Sequence, residues 1–142
     1  VRLGAKRDGR IVAADITIAL QAGAFPGSPI GPACWCSMAC YDVDNIRVVG
    51  FDVVSNRPKV AAYRAPGAPI SAFGVESTID MLAQELGMDP IELRLKNAAQ
   101  KGTKTHYGPT FDRIGFIETL EAARNSAHYK SPVKPGYARG IA

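Results

Sequence analysis

The sequence predicts an α+β fold, with strands in its first part and helices in its second. Three observations carry this. Two β-like runs, Val1–Lys6 and Ile11–Leu20, flank Arg7-Asp8-Gly9-Arg10, and Asp-Gly between such runs is a strong hairpin signal. From Pro69 onward the apolar residues change to helical spacing. Strands precede helices instead of alternating with them, which argues against a doubly wound sheet.

The elements follow in chain order. In Ile11–Leu20, Val12, Ala14, Ile16, Ile18 and Leu20 form the apolar face. A two-residue turn at Asp8-Gly9 would require φ > 0 at both positions. Gln21–Pro32 is broken by Gly23, Gly27, Gly31, Pro26, Pro29 and Pro32, so a loop is expected. Ala33–Tyr41 (ACWCSMACY) is small and apolar nearly all round and predicts a short buried helix with Pro32 at its first position. Asn45–Ser55 is rich in β-branched residues and predicts a strand, with Gly50 marking a bulge or a close backbone contact. Asn56-Arg57-Pro58 is a turn, and Lys59–Tyr63 a further short extended piece.

Pro69 opens a long helix whose stripe runs through Phe73, Glu76, Ile79, Ala83 and Leu86, ending at Gly87 as a left-handed C′ residue. Asp89 caps a second helix with Pro90 at its first position. Glu92 sits in its first turn and Arg94 and Lys96 toward its end, as the helix dipole favours. Gln100–Pro109 is a polar loop, Arg113–Tyr129 supports a third helix, and the tail from Lys130 looks like a linker. One partial domain over 1–142 is therefore expected: 1–63 mainly β with a Gly/Pro loop, 64–129 mainly helical, 130–142 linker-like.

Composition narrows the function. A chain of 142 residues with 46% hydrophobic content can bury a core. The net charge of +4 is mild and its basic residues are scattered, so no nucleic-acid partner is expected. No apolar run approaches the roughly 18 residues of a membrane span. The first residues have no apolar signal region, lack Met and are already strand-like, so an internal piece of a larger protein is expected. The three clustered cysteines, Cys34, Cys36 and Cys40, imply no disulfide framework. A reducing, cytoplasmic setting fits them.

Candidate chemistry is sparse. Cys-x-Cys-x3-Cys lacks the fourth ligand that a cluster or structural zinc usually needs, which favours packing of small thiols. His106 and His128 share no metal-site spacing, and His106 lies in a polar loop where solvation is expected. Glu76 and Asp80 are four apart, but without a metal partner a solvated or capping face is the plainer reading. Arg64 stands before Ala65-Pro66-Gly67-Ala68-Pro69. A guanidinium held on a constrained turn can present donors to a carboxylate or a heterocycle oxygen. It can equally satisfy carbonyls of its own turn, and the physics leaves the two readings level.

The stretch AYRAPGAP, followed by VES-x-ID-x-LA-x-ELGMDPIELRLKN, closely resembles the molybdopterin-binding large subunit of the xanthine dehydrogenase and aldehyde oxidase family. The likeness extends upstream through VRLGAKRDGRIVA, GAF and SNRP, so it covers Val1 to about Asn97. It implies an oxidoreductase that hydroxylates aldehydes or N-heterocycles with oxygen from water. It implies a molybdenum ion on molybdopterin, with 2Fe–2S clusters and FAD on other domains or subunits. By the same resemblance Arg64 would orient substrate and stabilise developing negative charge, and Ala65, Pro66 and Gly67 would lie near the cofactor.

There are departures. The copper-binding cysteine of the carbon monoxide dehydrogenase branch is replaced by Ala65, which disfavours that branch. The xanthine branch's Phe- and Gly-rich turn is Ala-Pro-Gly here, and Ile70 stands where Glu or Gln is common. The Gly-x-Gly-Glu segment with the catalytic base is absent, as are the Gly-Gly-x-Phe-Gly and Gln-Gly-x-Gly-Gln segments that contact the cofactor. The piece alone is therefore expected to bind no cofactor and to be inactive. Its partners would be the remainder of the molybdopterin subunit and the iron–sulfur and FAD components. The alternative is a non-catalytic assembly module that self-associates or docks through its helices.

Overall fold

A computed structural model describes residues 1–141. Strands β1 (Arg2–Ala5) and β2 (Ile11–Gly23) are followed by helix α1 (Ile30–Cys36) and strand β3 (Asn45–Val54). Helices α2 (Ala68–Leu86), α3 (Pro90–Lys96), α4 (Phe116–Asn125) and α5 (Ala127–Lys130) complete the order. The α+β reading holds. The sheet runs β1-β2-β3, with β1 antiparallel and β3 parallel to β2. A parallel pair needs a crossover, and the Gly/Pro loop with α1 supplies it.

The hairpin forms, but with a different turn. Gly9 alone has positive φ (89°). Its amide donates to the Lys6 carbonyl at 2.9 Å, and Lys6 N donates to Arg10 O at 2.9 Å. This is a three-residue loop, a type I turn closed by a left-handed glycine, instead of the two-residue turn the Asp-Gly pair suggests. Asp8 contributes its side chain, accepting from Arg10 N at 3.0 Å.

The even-numbered face of β2 packs on the helices. Ala14 and Ile16 join Met38, Tyr41, Val75, Ile79, Ala83 and Leu93 in the main core. The buried stripe of α2 is Ser71, Val75, Ile79 and Ala83, an i, i+4 row, and Phe73, expected on it, is 78% exposed. Gly50 pairs regularly with Ile18. A Cβ there would lie 2.7 Å from both Cys34 Sγ and an Ile30 carbon, so its role is close approach of α1 and not a bulge.

Other expectations need correcting. The first helix begins at Ile30 and ends at Cys36, earlier than expected, and Pro32 falls within its first turn, where no amide donor is needed. The ACWCSMACY segment is not buried all round: Trp35, Cys36 and Cys40 are exposed, because the sheet covers only one side of it. Lys59–Tyr63 joins no strand and is held by Val60 N donating to Ala22 O at 3.0 Å. The third long helix is two helices. Ser126 adopts extended backbone and its Oγ accepts from Tyr129 N at 3.1 Å, and this N-cap geometry stops α4 and starts α5. In the expected linker, Arg139 donates to Tyr129 O and Ser131 O; position 142 lies outside the described residues. Among the described residues no helix is long and apolar enough to cross a membrane.

Candidate functional site

The site is built from a turn between two rigid elements. Pro66 and Gly67 occupy the central positions of a β-turn closed by Ala68 N donating to Ala65 O at 3.2 Å. Pro followed by Gly at φ 85°, ψ −28° is type II geometry. Gly67 is also the N-cap of α2. It is buried against α1: a Cβ on it would come within 2.5 Å of Pro29 O and 2.7 Å of Ala33 N. The turn cannot shift without moving α1, so α1 fixes where the residues before it stand.

The approach to α1 is pinned as well. The Asp52 carboxylate, at the end of β3, accepts from Gly27 N at 2.6 Å and Ser28 N at 3.0 Å. Hydrogen bonds from Ser28 and the Gly27 amide hold this carboxyl below its ordinary range. Ala24 N donates to Arg57 O at 2.9 Å. The Gly/Pro loop is thus tied to the strand beside it.

Arg64 and Ala65 lie on the outer side of this turn, both exposed. Among the described residues the Arg64 guanidinium makes neither a hydrogen bond nor an ion pair. It satisfies no carbonyl of its own turn. Ala65 has φ 53°, the one non-glycine residue with positive φ among those described. An L residue held there costs of order 1–3 kcal/mol. The first turn of α2 carries no acidic residue and its N-cap no side-chain hydrogen bond, so the helix itself adds no negative charge at its positive end.

The other candidates fall elsewhere. Cys34 O meets His106 Nε2 at 2.9 Å, so His106 is half-buried against the end of α1 instead of solvated. His128 sits on exposed α5. Cys34, Cys36 and Cys40 are free thiols, and burial pushes that of Cys34 up. Among the described residues no three His, Cys, Asp or Glu side chains are grouped to hold a metal ion.

Glu76 and Asp80 form no solvated face. Both bind Arg94, which is 1% exposed. Its Nη2 lies 2.8 Å from Glu76 Oε2 and its Nη1 2.7 Å from Asp80 Oδ1. Arg94 Nη2 also donates to Ile141 O at 3.1 Å, and Tyr41 Oη donates to Glu76 at 2.9 Å. Burial, then the Glu76 charge, raises the Tyr41 phenol above its ordinary range. The cluster was missed because Arg94 reads naturally as a helix-end cation. The available signal was the pair of acids one turn apart, facing a second helix across the tight Gly87 connection. Asn97 was missed too: fully buried, it accepts from Ile11 N at 2.8 Å and donates to Gly9 O at 2.9 Å and Leu93 O at 2.8 Å, tying the hairpin to α3.

Comparison with known proteins concerns the chain as a whole. The family model described as the molybdopterin cofactor-binding domain matches residues 1–98, close to the span of the resemblance. The chain is 37% identical over 132 residues to the nicotinate dehydrogenase large molybdopterin subunit of Eubacterium barkeri, covering 89% of this chain and 31% of that protein. It is 39% identical over 129 residues to the aldehyde oxidoreductase of Megalodesulfovibrio gigas, covering 87% and 14%. The solved aldehyde oxidoreductase from Desulfovibrio gigas superposes with a TM-score of 0.74 at 33% identity, over 86% of this chain and 14% of that one. The Cu,Mo-CO dehydrogenase gives 0.77 at 26% identity, over 89% and 17%. The chain therefore spans about a third or less of the length of these relatives.

Proposed function

The chain belongs to the family of molybdopterin cofactor-binding domains, and on that footing we propose that it forms part of the large subunit of a molybdenum hydroxylase. The reaction is oxidation of an aldehyde or an N-heterocycle with oxygen drawn from water. The observation that carries this is the Arg64 turn: an exposed guanidinium without a partner among the described residues, on backbone locked against α1 through Gly67. The chemistry of the turn fits an anionic, phosphate-bearing pterin and a substrate that gains negative charge, because a guanidinium unpaired among the described residues stands beside a helix N-terminus with no acid in its first turn. Arg64 would orient substrate and stabilise that charge. A cation already in place costs no reorganisation when charge develops. Ala65 and Pro66 would line the approach to the cofactor, while Gly67 holds them there. The bound group supplies a metal centre that takes up the substrate's electrons.

The remainder of the molybdopterin subunit and the iron–sulfur and FAD components are the proposed partners, in the cytoplasm. Exposed Tyr63 and Phe73, 89% and 78% accessible, flank the turn in sequence and support its being covered by further protein. Under this reading the isolated chain retains no molybdenum and turns nothing over. The test is the Arg64→Ala variant of the assembled enzyme, with molybdenum content and steady-state kinetics measured together. Molybdenum should stay at the parent level while kcat/KM falls about 10- to 1000-fold, as for loss of one electrostatic donor. Unchanged kinetics would remove Arg64 from the site.

A further inference from the structure

We infer that the methyl group of Ala65 is part of the wall against which substrate is selected, a specificity role that rests on the function proposed above. Among the described residues every other position with positive φ is glycine: Gly9, Gly23, Gly27, Gly67, Gly87, Gly102, Gly108 and Gly136. This chain places glycine wherever the backbone turns left-handed, except beside Arg64. At Ala65 the Cβ crowds the following carbonyl, which glycine would avoid.

Nothing among the described residues offsets that crowding. An Asn or Asp could hydrogen-bond locally in this conformation, but alanine has no such group. Pro66 restricts the residue before it toward extended backbone, so the neighbour opposes the conformation as well. Packing gives no return either, because Ala65 is exposed. The left-handed turn is imposed from its other end, by Gly67 against Pro29 and Ala33 and by the Ala68 N to Ala65 O bond. Glycine would therefore serve the backbone better, and a contact with something outside the described chain would account for the methyl. The residue before it is Arg64, whose guanidinium has no partner among the described residues. A methyl in that position narrows the space beside the guanidinium and disfavours substrates with bulk on that side.

The experiment compares the parent, Ala65→Gly and Arg64→Ala forms of the assembled molybdenum enzyme. Four probes are used: acetaldehyde, benzaldehyde, nicotinate and xanthine. Those turned over are scored by kcat/KM and the others by Ki as competitive inhibitors, with thermal midpoints taken on the same samples. For Ala65→Gly the midpoint should not fall, since crowding is relieved. The preference for the bulkiest over the smallest recognised probe should rise about tenfold, the lower end of what one methyl-sized group contributes in a pocket. An unchanged preference with an unchanged or raised midpoint would overturn the inference. A lowered midpoint would also overturn it, by showing that the methyl packs against protein. If Arg64→Ala lowers kcat/KM while Ala65→Gly leaves the preference alone, only this inference fails. If no probe is recognised, or Arg64→Ala changes nothing, the proposed function fails and takes this with it.

Discussion

Two arginines of this chain, Arg64 and Arg94, make opposite use of the same side chain. Arg94 is buried and paired with two carboxylates, and a carbonyl from the chain's end closes over it. Among the described residues Arg64 is exposed and unpaired, and its backbone, not its side chain, is what the fold restrains. A buried charge must find its partners inside the chain, because an unpaired one is too costly. An exposed charge on a rigid turn needs none, and is free for something the chain does not contain. Partner count marks Arg94 as structural but does not by itself single out Arg64, since Arg7, Arg57 and Arg113 are exposed and unpaired among the described residues too; the locked turn beside Arg64 does.

The sharpest way to break this contrast is Arg94→Met. It leaves Glu76 and Asp80 partly buried without their cation, and breaking such a pair costs about 3–5 kcal/mol. Urea denaturation should show that loss. A cost under about 1 kcal/mol, the range of exposed pairs, would mean the cluster is solvated after all. The matching change at Arg64 should do the reverse. Arg64→Ala should leave stability within about 0.5 kcal/mol, as for a surface substitution away from special features, while turnover of the assembled enzyme falls as stated above. A large loss of stability there would erase the distinction.

Asn97→Ala tests the scaffold side more finely. It strands the Ile11 amide and the Gly9 carbonyl, and a buried polar group left unsatisfied costs about 1–3 kcal/mol. Hydrogen exchange at the Ile11 amide should quicken along with the loss of stability. Protection equal to the parent's would mean that another acceptor takes over from Asn97.

What was legible in the sequence divides along similar lines. Features set by a residue's own backbone were readable: the Pro66-Gly67 turn, the Gly87 helix end, and the Asp89 cap, which accepts from Ile91 N and Glu92 N. Features set by a partner far along the chain were not. Arg94 needs α2 and α3 folded side by side before its acids can be named. The parallel placing of β3 depends on how the Gly/Pro loop and α1 cross over. Gly9 misled because Asp-Gly serves more than one hairpin loop, and the choice was made by Lys6 and Arg10. At the site, the rigid turn was readable and the left-handed backbone at Ala65 was not, because alanine is the wrong residue to announce it.

The smallest expected effect concerns what holds the turn from behind. Asp52 accepts two amides of the Gly/Pro loop, and its carboxyl is lowered from 3.8 by hydrogen bonds from Ser28 and Gly27. For a group whose folded pKa lies below its unfolded value, the ionised form is the one the fold favours. Its contribution is present above the unfolded pKa and is lost as pH falls through the folded one. The stability gap between the parent and Asp52→Ala should therefore be constant above about pH 5. It should close as pH drops below 3.8. Paired denaturation curves across that range would show it. A gap for Asp52→Ala that is the same at both ends would mean that the loop is held by its glycines and prolines alone. Arg64 would then owe its placement to Gly67 and α1 without help from β3.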